Sequence, residues 1–244
     1  MKLYIKTLLL ILICINTSHS NEKLTVYTYD SFVAEWGPGP LLEEKFEKEC
    51  NCDLELIGLS DGVEILTRIM YEGKNTNADV VLGLDSNLLQ RARDTNLFNK
   101  HNIDITNLAI SNRYNDDIFV PFDYGYFSFI YDSTKIIEPP KSFEDLLGSN
   151  NLRIIIQDPR TSTPGLGLLL WIKDIYGSKA AEVWGKLGEK IVTVTPGWSE
   201  AYGLFLDGEA DMVLSYTTSP AYHITYENDY RYKATHFKIG RAHV

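Results

Sequence analysis

From residue 24 onward, short apolar runs alternate with amphipathic stretches, and this alternation narrows the possible folds more than any other feature of the chain. "LTVYTY" (24–29) reads as a strand, "GPLLEEKFEKEC" (39–50) as a helix and "DLELIGL" (53–59) as a strand again. "DGVEILTRIMYEG" (61–73) continues as a helix, "ADVVLGL" (78–84) as a buried strand and "SNLLQRARDTNLF" (86–98) as another helix. A strand that rejoins its sheet through a helix comes back parallel, so this order predicts an α/β fold with a mainly parallel sheet. The pattern breaks at the aromatic "DDIFVPFDYGYFSFIYD" (116–132), a long strand region, and at the Pro-rich "IIEPPKSFEDLL" (136–147). It restarts with the strand "LRIIIQD" (152–158). Three helices follow, "TPGLGLLLWIKDIYG" (163–177), "AAEVWGKLGEK" (180–190) and "SEAYGLFLDGE" (199–209), and then the strand "DMVLSYT" (211–217). Two α/β units joined by extended segments predict two lobes with a cleft between them. Lobe 1 is expected at 21–123, and lobe 2 with its crossing segment at 124–238.

The first twenty residues, "MKLYIKTLLLILICINTSHS", have a lysine-bearing start, an apolar run and small residues before Asn21. They read as a secretory signal peptide, so the mature chain is expected to be exported, with no direct membrane anchor. Cys14 does not make a lipidation site, because Ile13 stands where a small residue is needed. Cleavage removes Lys2 and Lys6 and no acid, which moves the net charge from -10 to -12. Such a chain is a poor partner for nucleic acid and attracts small cations. Cys50 and Cys52 remain. Export favours a disulfide, the one-residue spacing demands a tight ring, and a structural pair at the start of a strand is the plainer reading.

Two turns carry the candidate chemistry. In "QDPRTSTPG" (157–165), Ser162 or Thr163 can cap the following helix and Pro164 suits its first turn. The free amides there, with the positive end of the helix dipole, can receive an oxygen or an anion. No lysine follows the glycines, so this is not a nucleotide-binding P-loop. In "GLSDGVEIL" (58–66), Asp61 can cap the next helix and Gly62 admits a ligand to the backbone. Both turns fall at carboxyl ends of strands, where α/β folds bind ligands, one in each lobe. Tyr29, Trp36, Trp198, Tyr216 and Tyr222 lie near such ends, the last three beside hydroxyls expected to be free, and rings of this kind hold flat cations. There is no GxSxG, no HExxH and no suggestive Cys and His pairing, so neither an enzyme nor a metal site is expected.

The motifs "YTYDSFVAEWGPGP", "CNCDLELIGLSDGV", "GKNTNADVVLGLD", "FVPFDYGYF", "QDPRTSTPGLGLLLW", "GWSEAYGLFL" and "SYTTSPAYH" resemble those of the periplasmic thiamine-binding proteins of bacterial ABC importers. The resemblance implies the two-lobed class II periplasmic binding protein fold. It implies capture of thiamine, thiamine monophosphate or thiamine pyrophosphate, delivery to a permease with its ATPase, and no cofactor. The ligand contacts it implies are Asp61, Gly62, Ser162, Thr163, Trp198, Tyr216, Thr217, Thr218 and Ser219, with Tyr29, Trp36 and Tyr222 lining the cleft. The two caps would hold the hydroxyethyl or phosphate end and the rings the heterocycles. A thiaminase-like enzyme, or an iron- or polyamine-binding protein, are the alternative readings of the same fold. The resemblance fades near residue 238, and "IGRAHV" (239–244) matches the translation of a common sequencing adapter. Those six residues are expected to be non-native, and the fold C-terminally truncated.

Overall fold

A computed structural model describes residues 22–105, 114 and 116–237. The expected signal peptide and the expected adapter-derived tail lie outside the described residues.

The chain forms two sheets. In the first, β1 (Lys23–Tyr29) is central, with β2 (Asp53–Leu59) and the short β3 (Val80–Val81) parallel on either side. Between β1 and β2 run α1 (Asp30–Val33) and α2 (Gly39–Cys50), and α3 (Gly62–Glu72) links β2 to β3. Residues of α3 spaced three and four apart divide between two apolar clusters, Val63 and Leu66 in one, Ile65 and Ile69 in the other. Further on comes α4 (Leu89–Asp94). Cys50 and Cys52 are joined as a disulfide across the tight link from α2 to β2.

The second sheet has five strands: β4 (Phe127–Asp132), β5 (Ile154–Gln157), β6 (Ile191–Thr195), β7 (Met212–Tyr216) and β8 (Tyr232–Ala234), in the order β6-β5-β7-β4-β8. Ile154 and Ile156 of β5 enter one apolar cluster and Ile155 the other, so the strand is buried on both faces, as its unbroken isoleucine run requires. The helices of this half are α5 (Phe143–Gly148), α6 (Thr163–Tyr176), α7 (Ala180–Gly188), α8 (Trp198–Leu206) and the short α9 (Ser219–Tyr222). The Ser162 side chain accepts from the Gly165 amide at the start of α6, with Pro164 in the first turn.

Three expectations are corrected. The "ADVVLGL" segment is a two-residue edge strand with Val80 exposed, because it pairs on one side only. The aromatic region is regular only in β4, while Phe122, Tyr124 and Tyr126 before it are exposed. The second sheet is mixed, since β4 runs antiparallel to both β7 and β8. The sequence reading passes over two edge strands: β6, whose alternating β-branched IVTVT carries a strand signal and leaves Val192 and Val194 exposed, and β8, only three residues long.

Candidate functional site

The carboxyl ends of the two sheets face each other, and there the N-termini of α3, α6 and α8 converge. Asp61 caps α3 with Oδ1 accepting the Gly62 amide at 2.8 Å, while its Oδ2 accepts the Ser162 hydroxyl at 2.8 Å. The two expected caps therefore bond to each other across the lobes. Close by, the Glu64 amide donates to the Thr161 carbonyl at 3.0 Å. A Cβ on Gly62 would fall 2.4 Å from the Gly83 carbonyl oxygen and 2.5 Å from Thr163 Oγ1, so only glycine permits this approach. Gly197, which precedes α8, lies equally tight against Ser60, where a Cβ would stand 2.6 Å from the carbonyl oxygen. The Ser199 hydroxyl of α8 donates to Asp30 Oδ1 at 2.8 Å and completes the contact.

Asp61, Ser162 and Thr163 are buried, and the Asp61 carboxylate accepts the Ser162 hydroxyl. It complements the positive helix ends. Burial raises the Asp61 carboxyl above its ordinary value, against the opposing pull of its Gly62, Ser162 and Thr163 hydrogen bonds. Desolvation likewise raises Asp85 and Asp123, and Asp30 despite the Ser199 bond. The Tyr216 phenol is pushed well above its usual value, first by burial and then by Asp61, Asp85, Tyr29 and Asp123. Tyr29 is raised to about 12 by burial, Asp123 and Asp61. Acids and phenols thus crowd one region, each disfavouring further negative charge and favouring a cation.

A cluster of rings lies at the start of α8. Trp36, 55 % exposed, sits 6.3 Å from Trp198 and 5.9 Å from Tyr222 between ring centroids. Trp198 Nε1 donates to Ser215 Oγ at 2.7 Å, and Ser215 Oγ lies 2.7 Å from Ser219 Oγ. The hydroxyls of Ser199, Ser215 and Ser219 are thus engaged, contrary to the free hydroxyls expected beside the rings. Tyr216 leans on Phe127 at 5.3 Å. Thr217 and Thr218 are exposed, and the Thr217 amide donates to the Tyr126 carbonyl. Tyr27, by contrast, is a core residue, 1 % exposed, whose hydroxyl donates to Glu72.

Sequence reasoning misses Asp30, Asp85 and Asp123. The first two follow strands just as Asp61 does, a position that marks them as candidates. Nothing in the sequence distinguishes Asp123, which enters through the crossing segment.

Comparison with known proteins agrees with this architecture. Residues 75–228 match the family described as bacterial extracellular solute-binding protein. A thiamine-binding periplasmic protein of Escherichia coli (strain K12) is 56% identical over 236 residues, 96% of this chain and 72% of the relative. A solved structure titled periplasmic thiamin binding protein superposes with a TM-score of 0.87 at 57% identity, covering 90% of this chain and 70% of that one. Iron-bound HitA from Pseudomonas aeruginosa, at 20% identity and a TM-score of 0.66 over 88% of this chain and 69% of its own, shares the fold. The chain has the two-lobed class II periplasmic binding protein fold and belongs to the bacterial extracellular solute-binding protein family, among its periplasmic thiamine-binding members.

Proposed function

We propose that the chain captures thiamine and its mono- and pyrophosphate esters in the interlobe cleft, without cofactor or chemical turnover, and hands them to an ABC importer permease driven by its ATPase. The observation that carries this reading is a cluster of rings, Trp36 with Trp198 and Tyr222, at the start of α8, in a protein whose Asp61, Asp85 and Asp123 crowd the neighbouring phenol of Tyr216. Thiamine is a flat, permanently cationic heterocycle. Stacking on an indole is worth about 2 kcal/mol when the cation is desolvated, and carboxylates behind the ring add to it. The Ser162 hydroxyl is already bonded to Asp61, so the exposed hydroxyls of Thr217 and Thr218 are the better donors for a phosphate ester. The relatives, named as periplasmic thiamine-binding proteins, support the reading.

The rival readings fit less well. A thiaminase-like nucleophile finds no place in Cys50 or Cys52, since they are oxidised together at the opposite end of β2 from the cleft. Ferric iron would have to displace the phenol protons of Tyr29 and Tyr216, which burial favours. Tryptophan-fluorescence titration with thiamine, its two phosphate esters, ferric citrate and spermidine tests the proposal, with chromatography of the recovered thiamine. Saturable responses to thiamine compounds alone and intact vitamin are expected. A response confined to iron or spermidine, or degraded thiamine, would overturn it.

A further inference from the structure

Behind Trp198 runs a chain of polar groups that ligand capture does not directly use. Tyr202 of α8 stacks on Trp198 with centroids 4.9 Å apart and planes at 24°. Its hydroxyl lies 2.9 Å from Nε2 of His223, and both residues are buried. On its far side, His223 Nδ1 lies 2.6 Å from Oε2 of Glu227, whose side chain is half exposed. A carboxylate only accepts, so Nδ1 carries a hydrogen, and in the neutral imidazole Nε2 then accepts from the tyrosine hydroxyl. Burial holds the proton on Tyr202, in keeping with its role as donor. His223 and Glu227 are brought together by a π-helical turn spanning His223–Glu227, a rare geometry that gathers at functional sites. The residue before His223 is Tyr222, whose ring meets both the imidazole and Trp36 edge-on.

We propose that Glu227, His223 and Tyr202 are positioning residues for ligand capture: their hydrogen-bonded chain fixes the plane of Tyr202, and thereby the face that Trp198 presents to the cleft. This rests on the reading of Trp198 as a ligand contact. Simple core filling does not call for the chain, because phenylalanine at 202 and leucine at 223 would occupy similar volumes. Linked, satisfied polar groups instead specify orientation.

The test is thiamine affinity and thermal midpoint measured side by side on purified variants. Tyr202→Phe keeps the ring and removes the bond; it should weaken thiamine binding about threefold to tenfold. Adding His223→Leu to it should weaken binding no further than the worse single change, because both break one link. Glu227→Leu, at a half-exposed site that spares the core, should weaken binding from behind the cleft, and Glu227→Gln, which keeps an acceptor, should restore it. Shifted midpoints with unchanged thiamine affinity in Tyr202→Phe and Glu227→Leu would make the chain a stability feature and overturn the proposal. Trp198→Ala separates the two levels. If it alone weakens binding, positioning fails and the ligand reading stands; if it does not, the ring contact itself fails and the proposal with it.

Discussion

Asp61 concentrates the physics of this cleft in one side chain. Buried between the starts of α3 and α6, it holds Gly62 and Ser162 while its carboxyl is pushed above the ordinary 3.8. The folded protein therefore retains a proton at pH values where the unfolded chain has lost it. Between the ordinary and the raised value, this group's contribution to stability falls as pH rises. A bound cation reverses the preference and expels the proton. Thiamine affinity should accordingly fall on acidification through the raised value, a slope that titrations at several pH values would read. Asp61→Asn should flatten that slope and raise the thermal midpoint of the ligand-free protein while weakening thiamine about tenfold; a lowered midpoint with unchanged affinity would refute this role. Trp198→Ala and Tyr216→Ala should each weaken thiamine, by about 1–2 kcal/mol per ring, with the fold intact by circular dichroism. Unchanged titration curves for both would remove these rings from the site.

At the scale of elements, the helix starts decide how closely the lobes approach. Gly197→Ala places a Cβ against the Ser60 carbonyl, so α8 must retreat from β2 or the backbone must shift. The expected result is a more open particle by small-angle scattering and weaker thiamine binding, at a stability cost of about 1–3 kcal/mol. A wild-type scattering profile with wild-type affinity would show that this approach is not needed. At the other end of β2, reducing the Cys50–Cys52 disulfide should cost about 1–2 kcal/mol and leave thiamine affinity unchanged. The helices around these points were legible in the sequence because caps and periodicity act locally: α2 spans "GPLLEEKFEKEC", and Ser162 and Asp61 both cap as their positions predict. The length of β3 and the existence of the three-residue β8 were less legible because pairing at a sheet edge depends on partners distant in sequence, whereas β6 does carry a signal in its alternating β-branched residues. In the site, single residues with strong chemistry could be picked out. Their mutual engagement could not, since the Asp61–Ser162 bond joins residues 101 positions apart.

For the whole molecule, the acidic balance and the cleft act in the same direction. A net charge of -10, with an isoelectric point near 5.0, draws small cations toward a protein whose cleft concentrates carboxylates. The association rate of thiamine should therefore fall as salt rises, while added negative charge on a pyrophosphate ester should weaken that dependence. Among the described residues no helix is long and apolar enough to cross a membrane. The central claim is that the cleft recognises its ligand as a flat cation, by its rings and its carboxylates together. It is tested most directly by calorimetric titration of the protein with thiamine and with a neutral isostere in which carbon replaces the thiazolium nitrogen. The account predicts saturable single-site binding of thiamine and affinity for the isostere lower by about tenfold or more; equal affinity for the two would contradict it.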